Sequence, residues 1–170
     1  LASECHDLVW EAEMSNAGRD EPYSSEMLDE TQLRYVLEEL RFTQDLPSDV
    51  LKQLADEVRL VRITKGAMVF REGSPCETLY LIVNGHFVLS MNVPGRGSVP
   101  ILTVGKGQMF GWSSLLRGGK MTTNAVATED ATCLTAHGAK LAELCEANHT
   151  FGYHMMRRMA AAISDRLLAT

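Results

Sequence analysis

An α+β fold, with an antiparallel β-roll of the double-stranded β-helix or jelly-roll type held between N-terminal helices and two C-terminal helices, is what this 170-residue sequence predicts. Three observations lead there. Apolar residues recur at helical spacing between Asp29 and the end of the 50s, and from Leu60 the period falls to two, in short runs separated by glycines. After Ala136 the helical period returns and holds to the end of the sequence.

Residues 1–26 are polar and acidic, with the turn formers of "SNAGRDEPYSS", and most of them are expected to form a mobile arm, with a partner as one way to order it. Residues 27–59 carry the N-terminal helices. In the first, Asp29 caps, Gln32 completes a capping box three residues on, and Leu33, Val36 or Leu37, and Leu40 face inward. The second is "LPSDVLKQLADEV", with Pro47 in its first turn and Val50, Leu51 and Leu54 inward.

The β-roll is expected over residues 60–136, in the runs "RLVRI", "KGAMVFREG", "TLYLIVNGHFVLSM", "PILTVGKGQ" and "NAVATEDATCLTA". Alternation puts Tyr80 and Ile82 on the face opposite Leu79, Leu81 and Val83. Asn84-Gly85 reads as a tight primed hairpin turn, because both residue types tolerate positive φ. Residues 137–170 form the C-terminal helices, and in the last of them Met155, Met159, Ala162 or Ile163, and Leu167 make an apolar stripe beside the small Ala160, Ala161 and Ala162. Two uses of that stripe stay open: a homodimer through a twin helix 151–169, or cover for the chain's own barrel.

Sixteen Lys and Arg against twenty-two Asp and Glu leave a formal charge of -6, so nothing general draws the chain to nucleic acid or an anionic membrane. No apolar run approaches the roughly 20 residues that cross a bilayer, and the amino end carries Glu4, Asp7, Glu11 and Glu13 rather than a signal sequence. A cytoplasmic domain without membrane contact is the expectation. Cys5, Cys76, Cys133 and Cys145 are scattered, with no C-x-x-C pair, and read as reduced thiols rather than ligands of zinc or an iron-sulfur cluster. The histidines do not cluster either: His6 lies in the arm, His86 follows Asn84-Gly85, His137 opens a helix, and His149 and His154 sit on the closing helical segment. No nucleophile elbow appears and no cofactor is implied, so the expectation is a non-enzyme.

The wording of four segments, "LPSDVLKQLA", "KGAMVFREGSPCETLYLIVNGHFVLS", "VGKGQMFGWSSLL" and "NAVATEDATCL", resembles the cyclic nucleotide-binding domain family over roughly residues 40–168. Gly66, Gly73, Gly85, Gly105, Gly107 and Gly111 match the family's structural turns, and Glu72 before Gly73 resembles its "EG" turn, though a surface charge at a hairpin would read the same. Domains similar to this one are switches rather than catalysts. The resemblance implies a phosphate-binding cassette at residues 107–127, with a short helix Ser113 to Leu116 presenting backbone N–H groups to the ligand. It also implies a helix-turn-helix after the last helix in related transcription factors, and the expectation here is that this chain contains no DNA-binding domain.

Two of the family's side chains are replaced. A Glu directly after the cassette Gly takes the ribose hydroxyl, and an Arg nine positions later pairs with the phosphate. Counting from Gly111 puts Trp112 and Met121 there, and counting back from "VATED" also lands on Met121. A charge-assisted Arg to phosphate bond contributes about 1.5 to 3 kcal/mol, which a thioether does not replace. The chain is therefore expected not to hold cAMP or cGMP by the usual contacts. Its candidate ligand residues are Gly111, Trp112, Ser113, Ser114, Leu115, Met121, Thr122 and Thr123, with Arg117 and Lys120 as the cations that would rescue phosphate binding. A pocket recut for an unknown flat or greasy small molecule and a vestigial pocket on a protein-interaction or dimerisation module both fit this pattern.

Overall fold

The computed structural model describes residues 23–26, 28–115 and 119–168. The remainder of the arm read as mobile, residues 1–22, lies outside them. Its last part does not: Tyr23–Glu26 forms a strand, β1, that pairs antiparallel with β2 (Val58–Ile63). Four residues with no periodicity gave no signal, since what makes them a strand is the open edge of β2 beside them.

Helix α1 (Glu30–Glu38) starts on the capping box read from sequence, with the Gln32 N–H donating to Asp29 Oδ1 at 2.8 Å and the Asp29 N–H donating to Gln32 Oε1 at 3.1 Å. Helix α2 (Ser48–Glu57) has Pro47 at its N-cap, one residue earlier than expected, and buries Val50, Leu51, Leu54 and Ala55. It runs directly into β2. Then follow β3 (Met68–Phe70), β4 (Thr78–Asn84), β5 (Phe87–Val93), β6 (Gly97–Val104), β7 (Met109–Phe110), a 3-10 helix (Trp112–Leu115), β8 (Asn124–Ala127) and β9 (Ala131–His137). Helices α3 (Gly138–Ala147) and α4 (His149–Leu168) close the described chain.

The strands form two antiparallel sheets, one ordered β1-β2-β9-β4-β7 and the other β3-β8-β5-β6. Strand β4 has a core on each face, as its alternation requires. Leu79 and Leu81 join α1, α2, Leu141, Phe151 and Met155 in one cluster, while Ile82 joins Phe87, Val104, Phe110 and Cys133 inside the roll, with Tyr80 packed against it. An edge of the second sheet is β6, which carries Pro100 within the strand. Glu72 does more than a surface charge would. Its N–H donates to Asn124 Oδ1 and its carboxylate accepts the Asn92 N–H, tying the end of β3 to β8 and β5.

The Asn84-Gly85 hairpin is not formed. Strand β4 pairs with β7 and β9, whereas β5 pairs with β6 and β8, so the two strands flanking this dipeptide belong to different sheets. The chain turns a corner of the roll here rather than folding back on itself. Gly85 has φ of +91°, and a Cβ on it would stand 2.6 Å from the Ala131 Cβ, so the corner needs glycine both for its backbone and for its contact.

Gly85→Ala is therefore expected to lower stability by at least about 2 kcal/mol, read as a fall in the urea midpoint. Burial pushes the Cys133 thiol up to about 12. In native protein at pH 8, iodoacetamide should leave Cys133 unmodified, with alkylation appearing only once the chain unfolds, as followed by mass spectrometry.

Candidate functional site

The cassette lies where the first sheet, the roll interior and the C-terminal helices meet. Strand β7 stacks Phe110 on Tyr80 with ring centroids 4.8 Å apart and planes 3° from parallel, and Phe70 and Phe87 tilt against the same ring. Gly111 follows with φ of +76°, so close to β4 that a Cβ would be 2.4 Å from the Thr78 carbonyl oxygen. No other residue type passes there without moving β4. The Cys76 thiol approaches the Gly111 carbonyl at 3.6 Å, and burial followed by the Glu77 charge raises its pKa.

The 3-10 helix Trp112–Leu115 replaces the short helix expected at Ser113 to Leu116, one residue earlier, and Leu116 itself is outside the described residues. Four residues in 3-10 geometry carry a smaller aligned dipole than a full α-helix end. Ser114 is turned away from the cassette cavity: a Cβ on Gly138 would stand 2.4 Å from the Ser114 Cβ and carbonyl oxygen, and the Ser114 Oγ has no hydrogen-bond partner among the described residues. Leu115 likewise packs toward the helices rather than the cavity.

A cavity of about 170 Å³ is lined by Gly111, Trp112, Ser113, Met121, Thr122 and Thr123 from the cassette, by Phe70, Leu89, Ile101, Leu102 and Phe110 from the roll, and by Arg166 from α4. Trp112 and Met121 are thus both brought into the lining of one cavity. Met121 is buried, held by its N–H to the Ser74 carbonyl and by the Gly73 N–H to its own carbonyl. It also borders a second, more open cavity of about 390 Å³ that includes Arg71, Ser74, Glu77 and Tyr80, a space not anticipated from sequence. Of the two cations considered for rescue, Lys120 is exposed, sits in a β-bridge with Pro75 and does not line the cassette cavity; Arg117 lies outside the described residues.

Arg166 was missed. Its Nη2 donates to the Met109 carbonyl at 2.5 Å, and its guanidinium carbon lies 5.3 Å from the Trp112 ring centroid, a cation–π distance. Burial lowers its pKa from the ordinary value, but arginine stays charged throughout the accessible range. The signal was present in the spacing. Met155, Met159 and Ala162 are the inward positions of α4, and the next step of that stripe is 166, not 167. Leu167 is 73% exposed, so the stripe drawn through it is corrected: the buried row ends on a cation aimed at the cassette.

Three close contacts then connect the cassette to α4. Gly111 lies against Thr78, Gly138 at the start of α3 lies against Ser114, and Gly152 in α4 lies against the Cys145 carbonyl, where a Cβ would be at 2.7 Å. Arg166 closes this ring by returning to Trp112. An exposed Arg41–Asp165 pair at 3.6 Å adds little. His86 pairs with Glu129 at 2.5 Å on the surface, and neither lines the cassette cavity. Among the described residues no helix is long and apolar enough to cross a membrane.

Comparison with known proteins fits this architecture. The chain is 27% identical to human cGMP-dependent protein kinase 2 over 105 residues, which is 61% of this chain and 14% of that kinase. A cyclic nucleotide-binding domain from Methylobacillus flagellatus KT superposes with a TM-score of 0.76 at 16% identity, covering 92% of this chain and 89% of that one. A regulatory subunit of a cAMP-independent protein kinase A from Trypanosoma brucei, solved as a triple mutant with cAMP in its A site, superposes with a TM-score of 0.58 at 17% identity, covering 75% and 52%. The profile of the cyclic nucleotide-binding domain matches residues 60–148, more than half of the sequence, and with the roll, the cassette and the closing helices in place the chain belongs to the cyclic nucleotide-binding domain family.

Proposed function

We propose that this chain is a regulatory, ligand-sensing domain whose cassette has been altered so that it does not hold cAMP or cGMP by the usual Glu and Arg contacts. The observation that supports this reading is the cavity lining, which contains Trp112 and Met121, the residues that the resemblance puts in place of the two polar anchors. A ribose hydroxyl placed against indole loses its hydrogen bond to water and gains no replacement, and the phosphate loses a charge-assisted partner. The Trypanosoma brucei relative supports the reading by analogy: it is described as cAMP-independent, and the form holding cAMP carries an introduced arginine among its changes.

Sensing would run through the ring of close contacts. Occupation of the cavity presses on Trp112 and Arg166, and the tight seats of Gly138 on Ser114 and Gly152 on Cys145 leave no slack between the 3-10 helix, α3 and α4. A ligand that moves Trp112 must therefore move α4 or the contact with Arg166.

A second reading, a dimerisation module with a dead pocket, is favoured by one feature of α4. Tyr153, Met156, Ala160, Ile163 and Leu167 fall at alternating steps of three and four on the face turned away from the domain, with Tyr153 61% and Leu167 73% exposed. That is the a/d spacing of a two-stranded coiled coil, and a second copy of α4 is the occupant it fits.

Trp112→Glu combined with Met121→Arg is expected to raise affinity for cAMP or cGMP by about a hundredfold or more in calorimetry, from restoring two charge-assisted contacts. A folded double mutant with no gain would sink the reading of these two positions. For the second reading, Met156→Glu with Leu167→Glu should shift a sedimenting dimer to monomer; a wild-type chain that sediments as monomer at all concentrations removes that reading.

A further inference from the structure

We infer that the second cavity, between β3 and the segment 71–78, is a binding site in its own right for a free amino acid with an apolar side chain, its carboxylate on Arg71 and its ammonium on Glu77. The site lies beside the cassette cavity and does not rest on how the cassette is read.

Charge singles this cavity out. Its lining holds one cation and one anion, Arg71 and Glu77. Among the described residues neither side chain has an ion pair or a hydrogen bond, not even with the other. Two opposite charges that line one space without meeting leave a gap, and a guest carrying both signs bridges it. A guest with a carboxylate alone is repelled by Glu77, and one with an ammonium alone is repelled by Arg71. The guanidinium also presents a planar fork of N–H donors that matches the two carboxylate oxygens.

The rest of the lining suits the rest of such a molecule. Val69, Phe70, Tyr80 and Met121 offer aliphatic, aromatic and thioether surface, on which an apolar side chain leaves water. At about 390 Å³ the cavity falls within the roughly 300–1,000 Å³ of small-molecule sites. Arg71 and Glu77 are both exposed, so water screens them, and they set selectivity more than strength.

The backbone that carries the two charges is pre-set. Ser74 donates from Oγ at 2.6 Å and from its N–H at 3.1 Å to the Arg71 carbonyl. Its own carbonyl accepts the Met121 N–H at 2.9 Å, the Gly73 N–H donates to the Met121 carbonyl at 2.7 Å, and the Cys76 N–H donates to the Gly119 carbonyl at 3.1 Å. The loop is thus pinned along residues 119–121, which lowers the ordering cost of binding. Phe70 and Met121 line both cavities, so a guest in one touches the wall of the other, and any coupling between the two sites is reciprocal.

Two side chains tell the cavities apart, because Met68 lines the second and not the cassette cavity, and Trp112 the reverse. The intact chain is labelled with carbon-13 at its methionine methyls and nitrogen-15 at its indoles, with Met68 assigned by loss of its signal in Met68→Leu and Trp112 by loss in Trp112→Phe. Phenylalanine, 3-phenylpropanoate and 2-phenylethylammonium are titrated as probes. Phenylalanine is expected to move Met68 saturably and to bind about fivefold more tightly than either one-charge probe. Arg71→Gln should erase its advantage over 2-phenylethylammonium, and Glu77→Gln its advantage over 3-phenylpropanoate. A one-charge probe that binds the wild-type chain as tightly as phenylalanine overturns the inference, and this comparison needs no variant to fold. Unchanged preferences in the two folded variants overturn it equally. If phenylalanine moves Trp112 and leaves Met68 still, or moves neither up to its solubility, the second cavity is no amino acid site, while the altered cassette stands or falls on its own test.

Discussion

The cassette depends on a single steric constraint: at Gly111 the backbone passes β4 at a distance that admits a hydrogen and nothing larger. From that contact the 3-10 helix is placed, and its position sets where Trp112 projects and where Ser114 meets the start of α3. Because each of these seats is a backbone contact rather than a flexible side chain, position is transmitted without being absorbed. What varies between relatives of such a fold is then the chemistry hung on the frame. Here the frame presents indole and thioether.

That separation explains why the frame and the ligand can part company. Glycines and apolar alternation hold the roll together, and neither depends on the chemistry of the side chains that line the cavity. Met121 even serves the structure, filling the wall between two cavities while its backbone pairs with Gly73 and Ser74. Among the described residues, the cation that lines the cavity, Arg166, arrives from elsewhere in the sequence. It does so at the end of a helix whose inner row is otherwise wholly apolar.

The sequence was most legible where local chemistry decides the outcome. The Asp29–Gln32 capping box, the two faces of β4 and the inward row of α2 follow from spacings of two to four residues, and the structure has them. Where the partner is distant the reading failed. Asn84-Gly85 has the composition of a hairpin turn, but whether its flanking strands pair is settled by β9 and β8, some forty residues on. Strand β1 exists because β2 has an edge to fill. Glu72 looked like a surface charge because Asn92 and Asn124 lie twenty and fifty-two residues away. At the site, Gly111, Trp112, Ser113, Met121, Thr122 and Thr123 line one cavity while Ser114 and Leu115 do not, and Arg166 was passed over by drawing the stripe of α4 one position too far. Three turns of about 3.6 residues from Met155 end at 166, so stepping by four each time to 167 overshoots the inward face by one residue.

The outer edge of the second sheet has its own bearing on how the molecule behaves in company. Strand β6 lends its hydrogen bonds to β5 on one side, and on the other it would be a template for foreign chains were it not for Pro100, which has no N–H to offer and breaks the row. In the first sheet β1 takes up the edge of β2 and is itself the terminal strand. Crowded solutions should consequently find little purchase for sheet-to-sheet growth along β6.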